Sequence, residues 1–417
     1  MASFHASGAS LLPRLQRLRL PNLDAETTAY TIPLLSPTVQ SVTVSFDVGT
    51  DPDDPKIKDR DNFEMFLSAL RVASPSLQEL VVFHQYRTFH MGKKHIDSMS
   101  GFAHLQHFSS TITLNPAAWS QLGSIRPLRH LDICIRSLDS PSNLEPGSHL
   151  ENTDANLTPE SYTLSLPNLH SAKVKGPLDT LAIFVDNLES PALRSLTFNV
   201  YSSPTPSVLG EFLDLAKEKL PRALRKLVLQ SFSLRQPQSG PYEQAEPVDL
   251  QPLLPPLASL TGLEDLSLDF FEIPMYVSDD AIRTLADGLP TLVSLALRYK
   301  PPCYHRTAAD PDAQAPDKRP TIGALVALAN GCPHLARLHI VDVDVDAETP
   351  HDCVVPALDH PLRELEITSF SSRTRGRVFG FAEKLHRIFP HLGDVRAHGA
   401  CSGWNVAKEY LEYLQTV

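Results

Sequence analysis

The chain has 417 residues, of which 42% are hydrophobic and 20% charged, so it can build a sizeable core and lacks the composition of a disordered protein. Its formal net charge of −11 argues against a nucleic-acid-binding surface, which requires clustered Lys and Arg. The five cysteines are scattered and odd in number, which favours a reduced intracellular protein over a disulfide-bonded secreted one.

The N-terminal residues and the hydropathy favour a protein that is neither secreted nor embedded in a membrane. Residues 1–10 contain no basic segment followed by an apolar core, which a signal peptide requires. No stretch approaches the roughly 20 apolar residues of a membrane span. We therefore expect a cytoplasmic or nuclear location.

One leucine frame, L-x-x-L-x-L, recurs along the chain, for example as LQRLRL at residues 15–20 and LEDLSL at residues 263–268. The second apolar residue of each copy is called its marker. The markers are Leu18, Val42, Leu80, Phe108, Leu131, Ala172, Leu196, Leu227, Leu266, Leu295, Leu338, Leu365 and Val395. Successive markers are about 23 to about 43 residues apart, so the repeats are irregular.

This frame is the leucine-rich-repeat pattern, in which each copy supplies a short strand whose alternate apolar residues face the core. A single copy cannot bury its apolar face, so the copies must stack. The predicted α/β fold is a curved solenoid with a parallel sheet on the concave side and irregular helices and loops on the convex side. We predict one solenoid of about 13 repeats over residues 1–417. Residues 398–417 form its C-terminal capping segment, a helix with Val406, Tyr410 and Leu414 on its packed face.

The segments between the markers are of two kinds. Four have helical periodicity: residues 62–72, 208–220, 278–288 and 321–331. The last two also begin at a capping residue and end at a glycine. Four others are rich in Pro, Asp, Ser or Gln and are predicted loops: residues 47–61, 137–160, 235–256 and 300–320. Such loops either contact partners or are tolerated extra length.

An acidic run, VDVDVD at residues 341–346, places three carboxylates on one face if it is extended. Oxygen ligands of this kind can hold calcium or magnesium. The alternative is a strand with one solvated acidic face, which needs no metal. We expect no metal here, because no glycine-containing loop or further ligand accompanies the run.

Five histidines lie between residues 84 and 107: His84, His90, His95, His104 and His107. The spacing of His104 and His107 suits zinc on a helix, but His107 falls inside a strand frame and no cysteine is near. A polar patch on the strand face is the favoured interpretation.

Other candidate chemistry is sparse. The run RTRGR at residues 373–377 either contacts phosphate or an acidic partner, or forms a solvated loop. No phosphate-binding glycine loop, G-x-S-x-G elbow or H-E-x-x-H motif is found. We therefore expect a protein without enzymatic activity, cofactor or metal.

The residues on either side of each marker should point away from the core, because side chains alternate along a strand. They form a row that is polar and of mixed sign, which suits recognition of a protein more than of a small molecule. The predicted representative contacts with a protein partner are Lys173, Lys226, Arg337, His339, Glu364 and Glu366.

Three motifs carry a resemblance to a known family: SPALRSL at residues 190–196, LPTLVSL at 289–295 and CPHLARL at 332–338. They resemble the irregular leucine-rich-repeat region of fungal F-box proteins. The resemblance implies a substrate receptor of a cullin-based ubiquitin ligase. The chain departs from the family pattern at its N-terminus, where residues 1–10 lead directly into a repeat at Leu12 and no F-box is found. The alternative function is an enzyme regulator, such as a GTPase-activating leucine-rich-repeat protein.

Overall fold

The computed structural model describes residues 11–21, 23, 25–46, 57–84, 90–114, 116–135, 163–201, 204–231, 247–301, 319–345, 357–371, 375–397 and 402–416. The fold is α/β, and the chain divides into two compact units, Met1–Phe198 (unit 1) and Asn199–Val417 (unit 2). In the described part of the chain, no helix is long and apolar enough to cross a membrane.

Unit 1 alternates strands with helices up to the unit boundary. Its elements are β1 (Arg17–Leu20), α1 (Ala25–Thr31), a 3-10 turn (Ile32–Leu34), β2 (Ser41–Phe46), α2 (Ile57–Ala73), β3 (Glu79–His84), β4 (His90–Met91), α3 (Lys93–Ser100), β5 (His107–Leu114), α4 (Pro116–Leu122), β6 (His130–Ile135), β7 (Leu164–Ser165), β8 (Ser171–Gly176), α5 (Leu178–Asn187), β9 (Leu188–Glu189) and β10 (Ser195–Val200). The parallel sheet runs β1-β2-β3-β5-β6-β8, with β4 beside β5 and a separate pair of β7 and β9.

Unit 2 continues the alternation. Its elements are α6 (Pro206–Lys219), β11 (Lys226–Ser231), β12 (Val248–Asp249), a 3-10 turn (Gln251–Leu253), α7 (Leu254–Ala258), β13 (Asp265–Tyr276), α8 (Asp279–Gly288), β14 (Ser294–Lys300), α9 (Ile322–Gly331), β15 (Arg337–Asp344), β16 (Glu364–Ser371), α10 (Arg375–Ile388), β17 (Asp394–Ala397) and α11 (Ser402–Thr416). The strands pair in parallel in the order β11-β13-β14-β15-β16-β17, with β12 beside β13.

The markers lie directly opposite one another on paired strands. In unit 1 the aligned markers are Leu18, Val42, Leu80, Phe108, Leu131 and Ala172. In unit 2 they are Leu227, Leu266, Leu295, Leu338, Leu365 and Val395. Every marker except the partly exposed Leu18 is buried. A slip of one residue would turn every marker toward solvent, so the leucine frame sets the register. The strands predicted from the frame are confirmed.

The three family-like motifs have a common structural basis in the turn that precedes a strand. The N–H of the first leucine donates to the carbonyl three residues earlier, from Leu193 to Ser190 (3.2 Å), from Leu292 to Leu289 (3.2 Å) and from Leu335 to Cys332 (3.0 Å). Proline follows the acceptor residue in all three motifs, where its fixed φ favours a tight turn. The motif therefore ends one return segment and starts the next strand.

The turn before β16 is one residue shorter and uses a histidine side chain instead. The N–H of Leu362 donates to the Nδ1 atom of His360 (3.2 Å), since the usual carbonyl acceptor is missing. The opposite nitrogen, Nε2, must then carry the proton, and it donates to the Cys332 carbonyl (2.9 Å) of the preceding turn. Burial lowers the pKa of His360, although its bond to the Cys332 carbonyl acts in the other direction.

Two glycines allow neighbouring helices of unit 2 to approach closely. A Cβ atom at Gly331 would lie 2.5 Å from the Ala286 carbonyl oxygen, and one at Gly288 would lie 2.6 Å from that of Ala258. The predicted helices over 278–288 and 321–331 are confirmed, and they end at these glycines. Packing on the preceding helix is the reason that glycine is required there.

The helices predicted over 62–72 and 208–220 are confirmed as α2 and α6. Two predicted loops are wrong where the structure describes them, because residues 57–61 belong to α2 and residues 248–256 contain β12 and the start of α7. In the second case Leu253, Leu254 and Leu257 are buried, and the prolines sit in the first turn, where a helix tolerates them. Residues 47–56, 137–160, 235–246 and 302–318 lie outside the described residues.

Two further expectations for unit 2 are corrected. Residues 375–377 of the basic run open helix α10 and are not a loop, while 373–374 lie outside the described residues. Helix α11 packs through Ala407 and Leu411, which are buried, whereas Val406, Tyr410 and Leu414 are partly exposed. The packed face thus lies one residue further along the chain than predicted, and the Tyr410 hydroxyl donates to the Glu383 carboxylate of α10 (3.1 Å).

Candidate functional site

A shallow groove with a cavity volume of about 310 Å³ crosses the exposed face of β11 and β13–β17 in unit 2. Two rows of side chains supply its polar lining. The first row consists of the residues that precede the markers: Lys226, Asp265, Ser294, Arg337, Glu364 and Asp394. The second row consists of residues that follow them: Ala296, His339, Glu366 and Arg396.

Strand geometry places these side chains in rows. Residues before and after a buried marker face the opposite side of the sheet, and the parallel register puts equivalent residues on adjacent strands about 4.8 Å apart. Arg337 therefore lies between Ser294 and Glu364, and His339 lies between Ala296 and Glu366. The same leucines that build the core thus determine the order of charges along the groove.

Several charges in and beside the groove are neutralised by neighbours. Lys226 Nζ lies 2.8 Å from Asp265 Oδ2, and Arg298 lies 3.8 Å from the carboxylate of Asp269. Arg396 and Asp394 form an ion pair on β17. The hydrogen bond and charge of Asp394 raise the pKa of Arg396, and Glu364 and Glu366 add to this effect.

His339 is held at both ring nitrogens. Its Nδ1 atom lies 2.9 Å from a carboxylate oxygen of Glu366, and its Nε2 atom lies 3.2 Å from the Thr368 hydroxyl. The expectation that His339 is freely exposed is wrong, because only 8% of the residue is accessible. Val228, also expected to face outward, is likewise only 8% exposed.

Arg337 and Glu364 are two neighbouring, oppositely charged residues of the groove. They are paired in register on β15 and β16, yet within the described ranges neither makes an ion pair shorter than 4 Å. Both side chains belong to exposed residues. One positive and one negative group therefore stand side by side with their charges available to a ligand.

Five of the six predicted contact residues line this groove: Lys226, Arg337, His339, Glu364 and Glu366. The sixth, Lys173, lies on β8 of unit 1, where its Nζ atom is 3.9 Å from Asp132. Arg298, Asp394 and Arg396 also line the groove but are not among the predicted contacts. Asp394 and Arg396 nevertheless occupy the same frame positions as the predicted contact residues.

Two carboxylates of the acidic run face an arginine side chain. Arg319 lies 4.0 Å from Asp342 and 3.4 Å from Asp344, so its guanidinium occupies the place of a cation. The expected solvated face is wrong for Asp342, which is buried; Asp346 lies outside the described residues. In the ranges that the structure describes, no three His, Cys, Asp or Glu side chains are arranged to hold a metal.

The three described histidines of the stretch from residue 84 to residue 107 lie in different environments. His95 is buried in α3, where Nδ1 accepts the Gly92 N–H (3.2 Å) and the ring stacks on Phe63. His104 is exposed in a turn, and His107 lies on β5, so the two do not share a helix. The side chains of His84 and His90 lie outside the described residues.

The described thiols are structural. Cys134 and Cys332 are both buried. Burial raises the pKa of Cys332 to about 11, with a smaller contribution from the charge of Asp287. A thiol with this pKa stays protonated near neutral pH and is a poor nucleophile.

No family model matches the chain, and comparison with curated proteins finds no significant match.

Proposed function

We propose that the chain is a leucine-rich-repeat solenoid that binds a protein partner in the groove of unit 2 and has no enzymatic activity of its own. The solenoid is supported by the opposed markers and by the turn that recurs before successive strands. The binding role is supported most by Arg337 and Glu364, neighbouring groove residues that form no ion pair within the described ranges.

The lining of the groove favours a protein over a small molecule. Small-molecule pockets are mostly apolar with a few polar groups, whereas this lining is dominated by charged side chains of both signs. Charges of both signs on a rigid strand face give specificity to a protein interface. Arginine is also among the residues that most often dominate interface energetics.

The arrangement indicates what the partner presents. Arg337 can form paired hydrogen bonds with a carboxylate, and Glu364 can accept from a Lys or Arg of the partner. Because the two strands are about 4.8 Å apart, the partner needs an acidic and a basic side chain next to each other. His339 holds Glu366 beside them as a further acceptor.

The receptor version of this proposal rests on the resemblance to F-box proteins. In it, the groove holds the substrate while another subunit or segment contacts a cullin-based ligase. The protein acts in the cytoplasm or nucleus, where these ligases operate. The groove geometry is equally compatible with a scaffold that binds one partner without a ligase.

Affinity purification with matched variants tests the proposal. The tagged chain is recovered from cell extract as wild type, as Arg337→Ala/Glu364→Ala, and as Asp280→Ala/Arg283→Ala, a control that removes an exposed ion pair of α8. We expect the control to retain the partner. The groove variant should recover at least about tenfold less of it, because truncating an interface hot spot costs about 2 kcal/mol.

The recovered proteins distinguish the versions of the function. Cullin-ligase subunits recovered with the wild type support the receptor version, and other partners that depend on Arg337 and Glu364 support a scaffold. Recovery of a small GTPase whose hydrolysis of GTP the chain accelerates favours the enzyme-regulator alternative. Full retention of every partner by a folded groove variant contradicts binding in this groove.

A further inference from the structure

A second surface of distinct chemistry lies in unit 1, where β6, β8 and β10 begin. It consists of Arg129, His170 and Arg194, each two residues before a marker, together with the neighbouring His107 and His130. These five residues are called the basic edge. His107, Arg129 and Arg194 are exposed, and His130 and His170 are partly exposed.

The backbone holds the residues of the basic edge at successive strand positions. The Arg129 carbonyl accepts the N–H groups of His170 (2.8 Å) and Ser171 (3.0 Å). The His170 carbonyl in turn accepts those of Arg194 (2.9 Å) and Ser195 (3.1 Å). Arg129, His170 and Arg194 therefore follow one another at the spacing of adjacent strands, about 4.8 Å.

The imidazoles of the basic edge are oriented by the protein. His170 Nδ1–H donates to the Asn168 carbonyl (2.6 Å), and His130 Nδ1 lies 2.9 Å from the Ser171 hydroxyl. The His107 and His130 rings stack, with centroids 4.2 Å apart and an interplanar angle of 15°. Among the described residues, nothing hydrogen-bonds the Nε2 atoms of His130 and His170, which leaves them available to a ligand.

The acids on adjoining strand positions are already engaged. Glu79, opposite His107 in register, accepts the Ser41 hydroxyl (2.6 Å), and Asp132 faces Lys175 at 3.0 Å. In the described parts of the chain, neither Arg129 nor Arg194 has an acidic partner within 4 Å.

The pKa of His130 agrees with this lack of nearby negative charge. Burial lowers the pKa of His130, and the nearby His107, His170 and Arg129 lower it further. Positive charge is thus locally concentrated in a chain whose formal net charge is −11.

We propose that the basic edge binds an extended acidic peptide segment of a partner protein, with carboxylates on Arg129 and Arg194 and hydrogen bonds to the imidazoles between them. Alternate side chains of an extended peptide are about 7 Å apart. This distance is longer than the spacing of neighbouring strands, about 4.8 Å, and shorter than the spacing of two strands separated by a third. The edge is too short, and the chain too acidic, for the broad basic field that nucleic acid requires. This site goes beyond the groove of unit 2 and does not depend on it.

Fluorescence anisotropy at low salt tests the proposal with a labelled ten-residue peptide of alternating Glu and Ser. We expect the full chain to bind this peptide and not a Gln/Ser peptide of the same length. Arg129→Gln/Arg194→Gln should weaken binding at least about tenfold, since each charged hydrogen bond carries substantial free energy. The matched control, Arg225→Gln/Arg363→Gln, changes arginines at the same frame position in unit 2 and should leave binding unchanged.

Two further measurements make the test decisive. Binding should tighten as the pH falls below about 6.5, because burial and nearby positive charge lower the pKa of His130, so that it gains charge only below the ordinary value; His130→Gln should reduce that dependence. Arg129→Glu/Arg194→Glu should gain affinity for a Lys/Ser peptide. Equal binding by wild type and the Arg129/Arg194 variants overturns the proposal. So does a single-stranded RNA of equal charge that binds more tightly than the Glu/Ser peptide.

Discussion

The strand faces of the two units use the same frame positions for different chemistry. In unit 2, the charges along these positions largely cancel: Arg225 lies 3.6 Å from Glu264 on the next strand, and Lys226 lies 2.8 Å from Asp265. In unit 1, the position occupied by Arg225 is taken by Arg129, His170 and Arg194, with no acid between them.

The difference teaches that the buried and exposed halves of the frame vary independently. The markers must be apolar and aligned, because they form the core. Most residues beside them contact solvent, with His339 and Val228 as exceptions, so their charge can change with little effect on folding. One scaffold can therefore carry a charge-balanced groove and a basic edge. Substitutions among the buried markers and among the exposed residues beside them should therefore have separate effects.

The largest effect is expected from placing a charge among the markers. Leu266→Asp should destabilise the protein by several kcal/mol, because a buried carboxylate has no partner there. Ser267→Asp, one residue further on the same strand and facing outward, should change stability by no more than about 0.5 kcal/mol. Thermal unfolding of both variants provides the measurement. Equal melting temperatures would mean that the two halves of the frame are not distinct.

Helix packing in unit 2 gives the next effect. Gly331→Ala should destabilise by about 1–3 kcal/mol, because the new methyl group would meet the Ala286 carbonyl. Gly380→Ala is the matched control within helix α10, since a Cβ there meets nothing within 4 Å. It should stabilise by up to about 1 kcal/mol through better helix propensity. Denaturant titration measures both; destabilisation by Gly380→Ala would contradict the packing explanation.

The histidine turn predicts a dependence of stability on pH. Burial lowers the pKa of His360 in the folded chain, so the unfolded chain, where histidine titrates near about 6.5, takes up the proton first as pH falls. The stabilisation is present above that pH and is lost as pH falls. Protonation of Nδ1 also removes the acceptor of the Leu362 N–H, and an unpaired buried N–H costs about 1–3 kcal/mol.

His360→Asn should therefore be less stable than the wild type at neutral pH and should lose part of the decline in stability at acid pH. Urea denaturation across the range from pH 7.5 to pH 5.0 measures this difference. His391→Asn is a suitable control, because that histidine is exposed and pairs with Asp359 at the surface. The idea fails if the stability of His360→Asn and of the wild type falls in parallel with pH.

The smallest effects are expected in the exposed half of the groove. A double-mutant cycle on Lys226 and Asp265 should give a coupling of about 0.2–1 kcal/mol, typical of a partly exposed ion pair. The same cycle on Arg337 and Glu364 should give a coupling close to zero, because no ion pair joins them. A coupling for Arg337 and Glu364 that equals the first would show that these charges are satisfied internally.

Local pattern was sufficient for much of the fold. The markers, from Val42 to Val395, were identified in the sequence and are the aligned, buried residues of the strands, because the alternation of side chains ties register to hydrophobicity. The helices that open after Ser278 and Thr321 were predicted for a similar reason, since their capping side chains act within three residues.

Contacts between distant segments were not accessible in this way. Arg319, in a segment that the sequence predicts only as a loop, lies 4.0 Å from Asp342. Glu366 and Thr368, on the next strand, lie close to the two ring nitrogens of His339. Gly331 ends a helix in any sequence-based interpretation, but only its distance to Ala286 explains why glycine is needed.

The sequence by itself determined which residues enter the core, where strands begin and in what register they pair, because these depend on apolar periodicity along the chain. Tertiary structure decided which exposed charges are neutralised by a neighbour and which are not. That outcome depends on ångström-scale distances between side chains of different repeats. Arg337 and Glu364 occupy the same frame position as Lys226 and Asp265, yet only the latter pair is in contact.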